Sequence, residues 1–211
     1  MKKNYLTKEQ RLQFVLPENL KFILIGLLLG DLYGQIQKTS VNVRFRFEQS
    51  TIHKDYLFHL YNLFQSFCTQ APKVNTRLPD KRTGEIYSNI YFNTYSLPCF
   101  KELYSLFYLE GKKVIPSNIA DLLTPMGLAY WIADDGCWNK DCKYVVLCTD
   151  SFLLTEVELL ISALNDKFDL KCYKCKHGNS YRIIIPSYSI PNLQSLLISH
   201  MPPMMMSKIG L

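Results

Sequence analysis

The sequence predicts an α/β fold of the α+β type, built from two duplicated halves that each run αββαββα. One observation is a pair of apolar stretches that end in acidic residues, LIGLLLGDLYG at 24–34 and LAYWIADDGCW at 128–138. Another is a repeated segment, because YSLPCFKELYSLF at 95–107 resembles YSIPNLQSLLISH at 188–200. Both members of that pair place a proline at the start of an amphipathic helix.

A third match supports the duplication. The segment EQSTIHKDYLFHLYNLF at 48–64 resembles TDSFLLTEVELLISALN at 149–165. In each, a serine follows a strand and precedes apolar residues at helical spacing. Three matches in the same order predict pseudo-twofold symmetry within one chain. We expect a leader at 1–16, a first half at 17–118 and a second half at 119–211.

The two acid-ended stretches are predicted to be buried helices, because they are apolar nearly all round. The first begins near Pro17. The second begins at Thr124 and Pro125, an N-cap hydroxyl followed by a proline at the first helical position, and stops at Gly136. Each helix carries two small residues four apart, a spacing that lets two helix backbones approach closely. They are Gly26 and Gly30 in the first helix and Ala129 and Ala133 in the second.

If these helices pack on each other, their C-terminal ends bring Asp31 and Asp135 together. Two neighbouring carboxylates repel, and the negative end of each helix dipole adds to the repulsion. A divalent cation held by oxygen ligands relieves both effects. The alternative is that each aspartate merely ends its helix in solvent. Two copies at equivalent positions of a duplication favour the metal site.

The strands alternate between apolar and polar residues, which predicts sheets with one face on helices and the other in solvent. In VRFRFEQ, for example, Val43 and Phe45 point to one side while Arg44 and Arg46 point to the other. The outward sets are rich in Arg, Lys, Gln, Asn and Tyr, which are side chains that reach phosphates and base edges. Two such sheets side by side are expected to form a basic saddle with the acid pair at its centre.

Net charge, cysteine content and hydropathy limit the classes of protein to which this chain can belong. The net charge of +6 permits a nucleic-acid partner without demanding one. Seven irregularly spaced cysteines argue against a disulfide framework and for a reducing compartment. The longest apolar stretch, at 22–29, is too short to span a bilayer, and the N-terminus has no apolar secretory core. We therefore expect no membrane partner and a protein that works in the compartment where it is synthesised.

The motifs, the duplication and the basic strands together resemble the LAGLIDADG homing endonucleases, in the branch that carries both motifs on one chain and is encoded in organellar introns. The resemblance runs from about residue 17 to the C-terminus. It implies a monomer in which motif helices pack at the interface of the halves and two antiparallel sheets straddle double-stranded DNA. It also implies Mg²⁺-dependent cleavage of both strands with 3′ overhangs, with Ca²⁺ supporting binding alone. An organelle is the implied location, the mitochondrion in preference to the chloroplast.

The resemblance assigns the metal ligands to the last acid of each motif. These are Asp31 in the first copy and Asp135 in the second, with Asp134 as the lesser candidate. The backbone carbonyls of Gly30 and Asp134 are expected to assist.

The resemblance also implies one lysine near each reacting phosphate. The matching positions are Lys113 and Lys208, each just after the last helix of its half, with Lys112 as the runner-up for the first. A lysine in such a loop is also ordinary pairing with a helix dipole, so the lysines rank below the acids.

The expected DNA contacts lie on the outward strand faces and in the basic turns that join strands. They are Gln35, Gln37, Arg44, Arg46, Lys73, Asn75, Arg77, Lys81, Arg82, Lys140, Lys143, Lys174, Lys176 and Arg182.

Two alternatives share this scaffold. One is an RNA maturase that helps its host intron to fold, with intron RNA as a further partner. The other is a sequence-specific DNA-binding regulator that does not cleave. Both acids are intact, which counts against the regulator, and RNA helices hide their major groove, which favours DNA cleavage.

Overall fold

The computed structural model describes residues 6–211 apart from 39, 77, 80, 81 and 83. Within those residues the α-helices are α1 (Lys8–Leu12), α2 (Glu18–Leu29), α3 (Lys54–Phe64), α4 (Lys101–Phe107), α5 (Ile119–Leu122), α6 (Pro125–Asp135), α7 (Leu154–Phe168) and α8 (Ile190–Leu197). The strands are β1 (Tyr33–Ile36), β2 (Val43–Ser50), β3 (Lys73–Thr76), β4 (Ser88–Asn93), β5 (Tyr108–Leu109), β6 (Lys112–Lys113), β7 (Gly136–Asn139), β8 (Tyr144–Leu147), β9 (Tyr173–His177) and β10 (Ser180–Ile185).

The predicted order of elements is confirmed in both halves. Helices α2, α3 and α4 alternate with the pairs β1–β2 and β3–β4, and α6, α7 and α8 alternate with β7–β8 and β9–β10. Each set of four strands forms an antiparallel sheet, in the order β1-β2-β4-β3 and β7-β8-β10-β9. The matching strand orders are the structural form of the repeat seen in the sequence.

The chain divides into two compact units. One holds the chain up to Leu20 and the segment Leu32–Ser105, and the other holds Lys21–Asp31 and Leu106–Leu211. Most of α2 therefore belongs to the first half by sequence and to the second unit by packing.

The predicted helix boundaries are confirmed, with one difference. The Thr124 hydroxyl accepts a hydrogen bond from the Gly127 N–H at 3.1 Å, and α6 runs to Asp135 before Gly136. Helix α2 begins directly after Pro17 but ends at Leu29, so that Asp31 lies in the turn beyond the helix. The two acids thus sit in different local backbone.

The first sheet packs its apolar face into the core of its unit. Phe47 stacks on Phe92 with ring centroids 4.4 Å apart and also meets Phe64 of α3 at 5.1 Å. Strand β3 departs from the expected alternation, because all four of its residues are exposed and Val74 keeps 61% of its surface. It is an edge strand whose two faces both meet solvent.

The second sheet packs in the same manner. Val145 and Leu147 of β8 and Ile183 and Ile185 of β10 are fully buried, and α7 lies against β9 and β10. These four residues are direct cross-strand partners, so they mark the helix side of the sheet.

The described residues before α2 contact the rest of the first unit. Helix α1 has Thr7 as its N-cap, and the Arg11 guanidinium donates to the Ser96 carbonyl at 3.2 Å. The Phe14 ring lies 5.7 Å from that of Phe67. Among the described residues, none of the helices has the length and apolarity needed to span a membrane.

Candidate active site

The ends of α2 and α6 meet within one compact unit. A Cβ atom at Gly26 would lie 2.0 Å from the Gly127 carbonyl oxygen, so the two backbones are in direct contact there. The predicted contact face of α2, which carries Gly26 and Gly30, is therefore confirmed.

The face predicted for α6 is wrong. The atoms nearest to Gly26 and Gly30 belong to Gly127 and Asp134, instead of Ala129 and Ala133. Because each residue turns a helix by about 100°, Ala129 and Ala133 lie about 100–160° around α6 from Gly127 and Asp134, on a different face.

The acids gather where the helices end. Asp31 is exposed, whereas Asp134 and Asp135 are partly buried in the last turn of α6. The backbone N–H of Asp31 donates to Oδ2 of Asp134 at 2.7 Å. This hydrogen bond ties the turn after α2 to the end of α6.

Two lysines bind equivalent atoms of the two motifs. Lys113 Nζ donates to the Gly30 carbonyl at 2.6 Å, and Lys208 Nζ donates to the Asp134 carbonyl at 3.2 Å. Gly30 and Asp134 each precede the last acid of a motif, so the pseudo-twofold relation extends to the lysines. Lys112, the alternative to Lys113, is exposed. Both carbonyl oxygens expected as metal ligands thus accept a hydrogen bond from a lysine, although each keeps a second lone pair.

Asp134, Asp135 and both lysines of this cluster have pKa values shifted away from their ordinary values. Burial, with the charges of Asp31 and Asp134 adding to it, raises the pKa of Asp135 to about 8. Burial and the Asp31 charge raise the pKa of Asp134 to about 7, although the Asp31 N–H opposes this. Burial also lowers the pKa of Lys113 and of Lys208. The acids are therefore poorly compensated by the two lysines alone.

This cluster fits a small divalent cation that shares its shell with a substrate. The described residues contain no group of three or more His, Cys, Asp or Glu side chains able to hold a metal. Mg²⁺ is commonly bound through one or two carboxylates, with waters and substrate phosphates completing its shell. Asp31 and Asp135 could hold it in that way, and its charge would relieve the raised pKa of Asp135.

In EDTA, the free energy of unfolding should fall as pH rises from about 5 to about 8, by a few kcal/mol. The raised pKa values of Asp134 and Asp135 mean that the folded protein binds more protons than the unfolded chain in this window. Raising the pH therefore favours unfolding. Thermal unfolding across this range, in EDTA and in Mg²⁺, measures the effect.

The Asp135→Asn variant is the control, since it removes the group with the highest of these pKa values and should flatten the EDTA profile. Stability that rises with pH in EDTA across this window would contradict the prediction.

The outward face of the first sheet is polar, as predicted. Register places Tyr33 and Gln35 of β1 opposite Arg46 and Arg44 of β2, and Lys73 of β3 on the same side. The members of this face, here called the first outward face, are Tyr33, Gln35, Arg44, Arg46, Glu48, Lys73, Asn75, Asn89, Tyr91 and Asn93.

Side chains on the first outward face hold one another in place. The Arg46 guanidinium carbon lies 3.9 Å from the centre of the Tyr91 ring, and its Nε donates to Glu48 at 2.6 Å. The Arg44 guanidinium donates to the Gln35 side chain at 3.0 Å. Pre-ordered guanidinium groups lose less entropy when they bind a ligand.

Three polar atoms of the first outward face have no hydrogen-bond partner within the described part of the chain. They are Arg44 Nε, Asn89 Oδ1 and Asn93 Oδ1. Buried polar atoms are nearly always paired, so these three atoms are exceptions on this face. The asparagines were missed in the sequence, although the alternation in SNIYFN at 88–93 carries the signal.

The lysines predicted for the second sheet lie on the other side of it. Lys174 and Lys176 pair directly with Ile183 and Tyr181, and Lys174 forms an ion pair with Glu158 of α7. They therefore share the helix side of the sheet, at its exposed edge, whereas Arg182 points to the opposite face. The prediction that the three cations share one face is wrong.

Arg182 belongs to a polar cluster that the sequence did not reveal. Asp150, which follows β8, accepts hydrogen bonds from Arg182 Nε and Ser180 Oγ, each at 2.8 Å. His177 Nδ1 lies 2.8 Å from the same carboxylate. These donors lower the pKa of Asp150, against the effect of burial.

The remaining predicted contacts are exposed or undescribed. Gln37 lies just beyond β1, Arg82 lies in the β3–β4 connection, and Lys140 and Lys143 lie in the β7–β8 turn. Arg77 and Lys81 fall outside the described residues.

Known proteins resemble this chain in sequence and in fold. A family model described as the LAGLIDADG DNA endonuclease family matches residues 21–193. The chain is 34% identical over 193 residues to a cytochrome b mRNA maturase bI2 of Debaryomyces hansenii, covering 89% of this chain and 72% of that protein. It is 32% identical to the maturase of the same name from Saccharomyces cerevisiae, covering 91% of this chain and 47% of that longer protein. The structure of the homing endonuclease I-WcaI bound to its DNA recognition sequence matches with a TM-score of 0.90 and 27% identity, over 99% of this chain and 94% of that one.

Proposed function

The chain belongs to the LAGLIDADG DNA endonuclease family, and from that premise we propose that it is a homing endonuclease that breaks both strands of a long duplex target. The observation that carries the proposal is the equivalence of the two motif ends. Each presents an aspartate, Asp31 or Asp135, beside a lysine bound to the preceding carbonyl. Two equivalent sets of catalytic groups suit two equivalent phosphodiester bonds.

In the proposed mechanism Asp31 and Asp135 would hold Mg²⁺, which would supply a bound water of lowered pKa and a positive charge beside the reacting phosphate. Lys113 and Lys208 fix the backbone at the motif ends and keep a cation close to each reacting phosphate. Burial lowers the pKa of both lysines.

We further propose that cleavage leaves 3′ overhangs and that the protein acts as a monomer in an organelle, the mitochondrion in preference to the chloroplast. The pseudo-twofold chain supports a monomer, because one chain carries both motifs. The cytochrome b messenger RNA named for two relatives favours the mitochondrion.

The decisive experiment incubates the protein with a plasmid that carries the intron-insertion junction of its host gene. We expect the plasmid to be linearised in Mg²⁺ and to be bound without cleavage in Ca²⁺. Sequencing the cleaved ends identifies the overhang. Binding of the junction without cleavage in Mg²⁺ would contradict the endonuclease and leave the DNA-binding regulator.

A maturase is the second candidate, because two relatives at 34% and 32% identity carry that name. The test is a filter-binding and splicing assay with the host intron RNA. Maturase activity would be established if the protein binds the intron RNA in the presence of competing junction DNA and if splicing depends on the protein. That activity could exist beside cleavage or in place of it.

Replacing Arg44 with Ala should weaken binding to the target DNA in Ca²⁺ by about 10- to 100-fold. Its side chain lies on the first outward face and its guanidinium is already ordered by Gln35. Equilibrium binding at several salt concentrations measures the loss. If Arg44 contacts a phosphate, its loss lowers the slope of log affinity against log salt concentration. If it contacts a base, that slope stays unchanged.

Lys174→Ala is the matched control, because Lys174 is an exposed cation on the helix side of its sheet, paired with Glu158. It should change affinity by less than about threefold. A larger loss from Lys174→Ala than from Arg44→Ala would refute the assignment of faces.

A further inference from the structure

Helix α2 ends through a contact made by another helix. The Gly30 N–H still donates to the carbonyl oxygens of Gly26 and Leu27, as in a regular last turn. The next N–H, that of Asp31, instead donates to the Asp134 carboxylate at 2.7 Å. Asp134 therefore fixes the backbone of the residue proposed as the first catalytic acid.

The contact requires the glycine that precedes Asp31. A Cβ atom at Gly30 would lie 2.6 Å from Oδ2 of Asp134, so only a residue without a side chain leaves room for the carboxylate. The duplication places Gly30 and Asp134 at equivalent positions of the two motifs. One motif thus supplies the carboxylate and the other supplies the space for it.

The two proposed catalytic acids are consequently held in different ways. Asp135 is the last residue of α6 and takes its position from its own helix. Asp31 lies beyond α2, is exposed, and depends on the hydrogen bond to Asp134. The Asp134 backbone is itself held by Lys208, which donates to its carbonyl at 3.2 Å.

We propose that Asp134 is a positioning residue, whose carboxylate holds Asp31 in place through the Asp31 N–H and is not itself a metal ligand. This inference deepens the proposed function and rests on it. A positioning role needs only a hydrogen-bond acceptor at the end of the side chain, whereas a carboxylate that binds Mg²⁺ also contributes its negative charge, which asparagine lacks.

The Asp134→Asn and Asp134→Ala variants separate these roles. Asparagine has a side chain of the same length as aspartate and keeps an acceptor oxygen, but it carries no charge. Alanine lacks both the acceptor oxygen and the charge. We expect Asp134→Asn to retain single-turnover cleavage in Mg²⁺ within about fivefold of the parent protein. Asp134→Ala should lose about 10- to 100-fold in the same assay, because displaced catalytic groups cost that much. Its affinity for DNA in Ca²⁺ should stay within about threefold, so the loss falls on the chemical step.

A second measurement does not depend on cleavage. Amide hydrogen exchange at Asp31, followed by NMR in EDTA, should be slow in the parent protein and in Asp134→Asn, and at least tenfold faster in Asp134→Ala. The Gly30→Ala variant should reproduce the faster exchange, since its Cβ displaces the Asp134 carboxylate. Exchange at Asp135 should stay unchanged in all three variants, which would exclude general loosening of the fold.

Two results would overturn the positioning role of Asp134. Asp134→Asn as inactive as Asp134→Ala would overturn the proposal in favour of a charge or ligand role. Unchanged exchange at Asp31 in Asp134→Ala would overturn it as well. If the parent protein does not cleave at all, the proposed function fails, while the exchange measurement still tests the hydrogen bond by itself.

Discussion

Replacing either Asp31 or Asp135 with Asn should abolish cleavage of the target in Mg²⁺, with a loss of at least about 1,000-fold in the single-turnover rate. Each substitution removes one of the two carboxylates proposed to hold the cation and keeps the side-chain volume. The Asp31 N–H, which binds Asp134, is untouched by the change. The loss should therefore come from the carboxylate itself.

DNA binding in Ca²⁺ should persist in both variants, because the proposed DNA contacts lie on the sheets. Asp121→Asn is the matched control, an exposed acid in α5 outside the cluster, and should cleave like the parent protein. Cleavage retained by either Asp31→Asn or Asp135→Asn would remove that acid from the catalytic centre. Loss of DNA binding together with cleavage would assign it a role in recognition.

Replacing Gly26 with Ala should destabilise the protein by about 3–5 kcal/mol or prevent folding, because its Cβ would lie 2.0 Å from the Gly127 carbonyl oxygen. The obstacle is backbone on both sides, so α2 and α6 would have to separate. The change otherwise favours a helix by about 1 kcal/mol, so any loss understates the clash. Thermal unfolding should report a fall in Tm of at least about 10 °C.

Gly127→Ala is the matched control for this contact. It makes the same chemical change on the facing helix, but the atom nearest to its Cβ would be the Phe22 carbonyl oxygen, at 3.1 Å. Its effect on stability should stay within about 1 kcal/mol, in either direction. Equal effects of the two variants would contradict the close approach at Gly26.

Local chemistry made several elements predictable from the sequence. The Thr124 cap and Pro125 mark the start of α6 because they satisfy rules that involve only neighbouring residues. The alternation in β2 separates Phe45 from Arg44 and Arg46, because successive side chains of any strand point to opposite faces. Two acids at equivalent places in a repeat also predicted a shared site, whereas Lys113 and Lys208 came from the family resemblance, and their positions match the repeat.

The faces of the second sheet could not be predicted in this way. The register pairs His177 with Ser180 across a two-residue turn. Even-numbered residues of β9 are therefore paired with odd-numbered residues of β10, and paired residues point to the same side of the sheet. Lys174 and Lys176 therefore lie opposite in orientation to Arg182, although all three have even numbers. Turn length sets this relation, and the sequence alone left that length open.

The sequence by itself determined the order of elements, the duplication and the start of α6, because helical spacing, strand alternation, capping residues and repeated segments are all properties of the residues along the chain. Only the tertiary structure decided that Gly127 and Asp134, in place of Ala129 and Ala133, face α2. It alone also gave Asp134 its hydrogen bond to Asp31, across 103 residues of sequence. Such contacts depend on the rotation of one helix against another, which small side chains and steric fit select and which no local pattern encodes.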